Sequence, residues 1–475
     1  MKIPTAPFGD VHRLAPDTDE WLAAYLVQAM DARNQGTRWA DRAGRNDDPA
    51  ARPGLLLLDR WRRNEPPLPE GYSQQWQEAW SQFLRTSKAG FAALTLAPVT
   101  DRLVPLGWRT AVDSDADGDA EADRIAHQTN LQVIAGDVIE DMLWARVGYF
   151  MVDADQGHGE EKPRPVITRQ SPLTTYVEND PDTGRPIGAV RVRTSVWGTA
   201  PEIWLYRPGM ARVARAGHDG RFVFEDPIVY PIPGWWPFVE CRNRGDRGEY
   251  ELHLDTLARI NDALFNQTVT TKMQGLGRQR ALKRPAPKAD GDDIEIEIED
   301  DDLRPGPGAM WDLPPGVEIW EAANPELTPL AGQVKAAIEQ LAILTQTPLH
   351  YISPDAANGS AAGASTMREA AVFRVEDRAR RADRALAEVL AKAFQIEGDT
   401  ERSDPAKIQT IWVPAERLSI TDKASAFSQA VGSGYPFDQA LVDIFQVRPG
   451  DVTRYVQGRS KDLLHKVRGA VTAGG

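Results

Sequence analysis

Between residues 250 and 397 the chain reads as helix, proline-broken insert, helix, small-residue loop and long helix. Tyr250 to Met273 carries Leu254, Leu257, Ile260 and Leu264 at the spacing of one helical face. A segment of about 50 residues follows, interrupted by Pro285, Pro287, Pro305, Pro307, Pro314 and Pro315. The second helix is expected to start at Asn324, a good N-cap, with Pro325 at the first helical position. Its apolar face is Leu327, Leu330, Val334, Ile338, Leu341 and Leu344, and Pro348 is expected to end it. A stretch rich in Gly, Ala, Ser and Asn runs to Ala364, and Thr366 with Glu369 forms a capping box. The box predicts a helix of about 30 residues ending near Phe394, with Phe373, Ala379, Ala382, Leu386, Leu390 and Phe394 on its apolar stripe.

The N-terminal half reads differently. Helices are predicted from Thr18, over Leu55 to Arg63, around Trp76 to Leu84, up to Leu103, and from Glu121 to Ala145; Asp31 to Pro53 reads as a loop. The period then switches to two, with strands expected at Val147–Val152, Val166–Thr168, Thr174–Val177, Ala189–Thr194, Ile203–Tyr206 and Phe222–Phe224. Beyond Gly398 a smaller helical region has caps near Thr421 and Pro436. The fold class expected is α+β, mainly α.

Composition narrows the chemistry. With 475 residues, 41% hydrophobic and 26% charged, the chain has enough apolar side chains for a sizeable core. No run approaches the roughly 18–20 apolar residues that cross a bilayer, and no signal peptide precedes Trp21, so a cytoplasmic protein without a membrane partner is expected. The net charge of −14 argues against tight grip on phosphates. Cys241 is the only cysteine, which excludes an internal disulfide and reads as a small core residue.

The catalytic and metal motifs are absent or incomplete. Asp113-Ser114-Asp115-Ala116-Asp117-Gly118-Asp119 opens like a calcium loop, but its twelfth position is Arg124 instead of the bidentate Glu, leaving an acidic surface loop. No two of the seven histidines stand at metal-ligand spacing. Gly-Lys never occurs, which removes the phosphate loop, and Gly-x-Ser-x-Gly is absent. Asp290 to Asp302 holds nine carboxylates, with Glu295, Glu297 and Glu299 on one strand face and Ile294, Ile296 and Ile298 on the other. Such a strand fits inter-subunit or partner contact, or simple exposure, better than acid–base work. The long helix carries Arg368, Arg374, Arg378, Arg380, Arg381 and Arg384 among acidic residues, a solvated face with phosphate contact as the alternative. No enzyme, cofactor or metal is expected.

This order resembles the portal proteins of tailed bacteriophages, particularly siphophages of actinobacteria. The resemblance is carried by Thr100 to Arg109 with its Gly107-Trp108-Arg109, by Asn130-Leu131 through Val147-Gly148-Tyr149-Phe150-Met151-Val152, by Leu257 to Thr268, and by Leu344 to Tyr351 followed by Asn358-Gly359-Ser360. It implies a wing at residues 1–248 with a β-rich module at about 147–230, stem helices at 249–278 and 324–348, and a clip at 279–323. It further implies a tunnel loop at 349–364, a long wing or channel helix at 365–397 and a crown at 398–475. The subunits of that family form a dodecameric ring at the capsid portal vertex of the virion, assembled in the host bacterial cytoplasm, through which double-stranded DNA is packaged and ejected. Partners implied are other copies of the chain, the major capsid protein, the large terminase and the head–tail adaptor.

On this basis His350, Tyr351, Ile352, Ser353, Asn358 and Ser360 are expected to face DNA, and Lys272, Arg278, Arg368 and Arg374 to contact phosphates. Ile294, Glu295, Ile296, Glu297, Ile298 and Trp311 are expected to bind clip partners. Two other readings are a minor capsid or adaptor protein of the phage head, and an acidic cytoplasmic hydrolase using the Asp290 to Asp302 carboxylates.

Overall fold

The computed structural model describes residues 7–36, 52–67, 81–112, 118–155, 163–194, 201–217, 221–276, 280–283, 318–321, 327–348, 351, 361–416, 420–447 and 451–459. The fold is α+β, with about 52% helix and 20% strand. Its helices are α1 (Asp19–Gln35), α2 (Leu55–Arg62), α3 (Ser81–Ser87), α4 (Phe91–Leu94), α5 (Ala97–Thr100), α6 (Ala120–Gln128) and α7 (Leu131–Ala145). Then follow α8 (Leu254–Leu276), α9 (Leu327–Leu344), α10 (Ala361–Glu397), α11 (Ile420–Gly432) and α12 (Phe437–Asp443).

The strands are β1 (Pro105–Arg109), β2 (Val147–Asp155), β3 (Arg164–Gln170), β4 (Thr175–Asn179), β5 (Pro186–Thr194), β6 (Pro201–Arg207) and β7 (Met210–Ala216). The remainder are β8 (Phe222–Phe224), β9 (Ile228–Val229), β10 (Phe238–Arg242), β11 (Arg280–Lys283), β12 (Glu318–Glu321) and β13 (Gln409–Trp412).

The β module is layered because successive side chains along each strand point to opposite faces. The larger sheet has the antiparallel order β4-β5-β6-β7-β8, with β9 also on β7. Val190, Val192, Ile203, Leu205 and Ala214 point to one face, where Leu22, Leu26, Val27 and Met30 of α1 cover them. Ala189, Tyr206 and Ala211 point to the other face and meet Val147, Tyr149, Met151 and Phe238 of a second sheet, ordered β10-β2-β3. That sheet's opposite face, Phe150, Val152, Ile167, Val239 and Cys241, joins the main core with α7 and α10. Period-two alternation thus builds a stack of helix, sheet, sheet and helices.

Several expectations are corrected. Helix α1 does not end at Asp31: it runs to Gln35, because Asn34 is buried with its Nδ2 donating to Leu173 O at 2.7 Å and Arg33 Nη2 donates to Thr175 O at 2.8 Å. The single helix expected over Glu121 to Ala145 is two, broken at Asn130, whose φ of 54° is a left-handed conformation that Asn tolerates. Strands β7, β10 and β13 were not expected from the sequence. Strand β13 pairs antiparallel with β1, Trp108 opposite Thr410, so the start of the expected crown is stitched into the helical base.

The insert expected between α8 and α9 closes on a short antiparallel ladder, β11 with β12, whose register sets Arg280 opposite Glu321 and Lys283 opposite Glu318. In the sequence its two strands follow α8 and precede α9. The alternating strand Ile294 to Glu299 lies outside the described residues. Helix α10 starts at Ala361, ahead of the expected capping box, so Thr366 and Glu369 lie inside it. Phe373 is not on its buried stripe; Ala371, Val375, Ala382, Leu386, Leu390 and Phe394 are.

Candidate functional site: the root of the helix pair

Helices α8 and α9 pack through Leu257, Ile260 and Leu264 of one and Ala337, Ile338 and Leu341 of the other, all in the main core. Arg259 Nη2 donates to Gln340 Oε1 at 2.6 Å across the pair. The pair is rooted at a cluster of buried charge centred on Glu249, just ahead of α8. Arg378 Nε donates to Glu249 Oε1 at 2.8 Å and Asn243 Nδ2 to the same oxygen at 3.1 Å. Arg374 Nε stands 3.1 Å from Glu249 Oε2, at ion-pair distance but off the hydrogen-bond direction. Arg374 also donates through Nη1 to Thr345 O at 2.6 Å and through Nη2 to Thr95 O at 2.9 Å. One guanidinium therefore joins the root of α8, the end of α9, the residue after α4, and α10.

Burial opposes every charge in this cluster. Desolvation alone would raise the Glu249 carboxyl, but Arg374 and Arg378 together hold it below the usual carboxylate range. Burial pulls the Arg374 guanidinium down, and Glu249 pushes back. With its oxygens engaged, Glu249 is a fixed anion, suited to holding an angle between elements instead of carrying protons.

Around this centre the backbone is locked. Glu249 N donates to Leu143 O at 2.8 Å, and Tyr250 Oη donates to Leu58 O at 2.8 Å. Arg146, at the end of α7, donates through Nε to Glu251 Oε2 at 2.9 Å and through Nη2 to Glu251 Oε1 at 3.0 Å and Pro53 O at 2.5 Å. Its φ of 74° is unfavourable for a residue that carries a Cβ and is retained because that pose aims the fork at Glu251. Helix α9 stops in a Schellman-type turn: Thr347 N donates to Ala342 O at 2.9 Å and Gln346 N to Ile343 O at 3.2 Å, with Gln346 left-handed at φ 52°. The stop is therefore made before Pro348 is reached.

The expected site residues fare unevenly. Arg374 is corrected: it is buried, ion-paired with Glu249 and bonded to the carbonyls of Thr345 and Thr95, and is not exposed to a phosphate. Tyr351 is half-buried, with the Arg102 guanidinium 5.5 Å from its ring centroid and its N–H donating to Pro348 O at 3.0 Å. Lys272 lies in the last part of α8 and Arg368 in the first part of α10, with nothing described of their side chains. Arg278, His350, Ile352, Ser353, Asn358 and Ser360 lie outside the described residues, as do Ile294, Glu295, Ile296, Glu297, Ile298 and Trp311.

Glu249, Asn243 and Thr345 were missed, and Arg378, expected on a solvated face, is instead largely buried against Glu249. A signal existed for the arginines: Arg374 and Arg378 flank Val375 on a helix whose other stripe residues are apolar, and a cation there needs a buried anion. Its identity needed the tertiary structure. Among the described residues no group of three His, Cys, Asp or Glu side chains is arranged to hold a metal, and no described helix is long and apolar enough to cross a membrane. No family model matches the chain, and no curated protein matches it.

Proposed function

We propose that the chain is a subunit of a phage portal ring, through which double-stranded DNA enters and leaves a capsid. The observation that carries this reading is the helix pair: α8 and α9 pack on each other, flank a short ladder in the sequence, and are joined at their root by one buried arginine. A ladder of four residues per strand buries little by itself, and it becomes worth building where copies stand side by side. The acidic balance of −14 suits a conduit, since a wall that repels phosphates lets a duplex slide where a basic wall would hold it. Of the expected loop, residues 349–360 remain the proposed DNA-facing segment, since 361–364 belong to α10, with His350, Tyr351 and Ser353 as contacts; Arg374 is not among them.

In this reading the protein performs no bond chemistry. It supplies a rigid collar, docks the terminase during packaging and the head–tail adaptor afterwards. Electron microscopy of the purified full chain tests it directly. Annular particles with a central hole are expected, and compact single particles at all concentrations would overturn it.

A further inference from the structure

One face of β2 ends on a charge. Alternation sends Tyr149 and Met151 into the layer between the two sheets, and it sends Asp153 the same way. The first two are buried among apolar side chains, whereas the third is a half-buried carboxylate at the rim. Its one hydrogen bond among the described residues comes from its chain neighbour, Ala154 N to Oδ1 at 2.8 Å, and it has no ion pair there. Arg191 acts on it from further off but is engaged elsewhere. Its Nη1 donates to Gln170 Oε1 at 3.3 Å and lies 3.1 Å from Met151 Sδ, and its guanidinium stands 5.4 Å from the Trp204 ring centroid. Burial therefore raises the Asp153 carboxyl above its ordinary range, only partly opposed by Ala154 N and Arg191. The anion is left without a close counter-charge.

Asp153 stands in the wall of a pocket of about 140 Å³, walled further by Pro163, Tyr230, Ile232, Trp235 and Ile396. The pocket is built before any guest arrives. Tyr230 N donates to Gly209 O at 3.0 Å, Gly209 N to Trp235 O at 2.8 Å and Trp235 N to Ile232 O at 3.1 Å, which fixes the loop carrying both aromatics. Ile396, near the end of α10, belongs to the main core. Tyr206, which feels the Asp153 charge as Tyr230 does, has a fully buried hydroxyl with no hydrogen-bond partner among the described residues. Lys392 Nζ lies 5.3 Å from the Trp235 ring centroid, but it lines the neighbouring groove and pairs with Glu388 at 3.6 Å.

We infer that this pocket binds a small organic ammonium ion, its nitrogen against Asp153 and its hydrocarbon body against Tyr230, Trp235 and Ile232. One carboxylate among aromatic and aliphatic walls selects that chemistry by elimination. A metal ion needs several oxygen ligands, and the wall offers one acid. An anion would be repelled by Asp153. An uncharged apolar guest would leave the carboxylate desolvated and unanswered. An ammonium answers the charge, and aromatic faces attract it further. A cavity of about 150 Å³ holds one benzene ring, so the guest is limited to one ring or a chain of about six carbons. The inference does not depend on the ring reading.

Isothermal titration calorimetry of the full chain with benzylammonium chloride at neutral pH tests it, beside benzyl alcohol, which has nearly the same shape and no charge. Saturable binding at one site is expected for the cation, about tenfold tighter than for the alcohol and weakened about tenfold by Asp153→Asn. Asp155→Asn removes the same charge from the same strand outside the pocket and is expected to bind like the parent. No saturable binding of benzylammonium, equal affinity for the alcohol, or an equal loss in both variants would overturn the inference. Should Asp153→Asn fail to fold, the cation and the alcohol compared on the parent chain still decide it.

Discussion

Glu249 and Arg374 face each other with side chains 7% and 5% exposed, Nε to Oε2 at 3.1 Å, and so bind the root of α8 to the middle of α10. Removing one partner leaves the other charge buried and unanswered, which costs about 3–5 kcal/mol. Glu249→Ala is therefore expected to lower the urea midpoint by the equivalent of that range, and a loss below about 1 kcal/mol would contradict the arrangement.

The same carboxylate sets a pH dependence. Its folded-state pKa is depressed below the unfolded value of about 4.3. The stabilisation is thus fully present above that value and disappears as pH falls through the lower folded one. Urea midpoints measured from pH 7 downwards should converge between the parent and Glu249→Gln on the acid side. Parallel curves would show that the group titrates alike in both states.

Two left-handed residues should respond oppositely to glycine. Gln346 holds its φ of 52° for the sake of the α9 stop, so Gln346→Gly is expected to be neutral or to stabilise by up to about 1 kcal/mol. Arg146 holds its φ of 74° while clamping Glu251, so Arg146→Gly relieves the backbone but strands a buried carboxylate, and a net loss of about 3 kcal/mol is expected. Thermal melts of the two variants decide the matter, and equal shifts would refute it.

A methyl at Gly148 would overlap the carbonyl oxygen of Val138 where α7 crosses β2. Gly148→Ala should cost about 1–3 kcal/mol, read as a lower melting temperature. Gly136, with open space around its missing Cβ, serves as the tolerant comparison: Gly136→Ala should melt no lower than the parent.

Cys241 is 1% exposed in the main core, and burial pushes its thiol up to about 12. A maleimide at neutral pH should leave the folded chain unmodified and label it stoichiometrically once unfolded in urea. Rapid labelling of the native protein would mean that the sheet β10-β2-β3 is not packed against α7 and α10 as described.

Much of the fold was legible because it follows from period alone. The alternation of β2, β5 and β6, the helical faces of α8 and α9, and the core place of Cys241 all express local rules that hold whatever the chain packs against. The true start of α10 was not legible, because the box at Thr366 and Glu369 is a sound local signal that the helix simply runs through. Phe373 misled for a different reason: it stands two residues from both Ala371 and Val375, about 200° round the helix from that buried side, and its apolar character alone put it on the stripe.

By itself the sequence determined the α+β class, the helix–insert–helix order and the acidic balance. Each is a sum of short-range preferences or of charges. Only the tertiary structure decided that Arg374 serves Glu249 instead of solvent, that β13 returns to β1, and which face of α10 lies bare. Those outcomes join residues more than a hundred positions apart, and the burial that makes an ion pair or an edge strand worthwhile exists only once the distant partners have met.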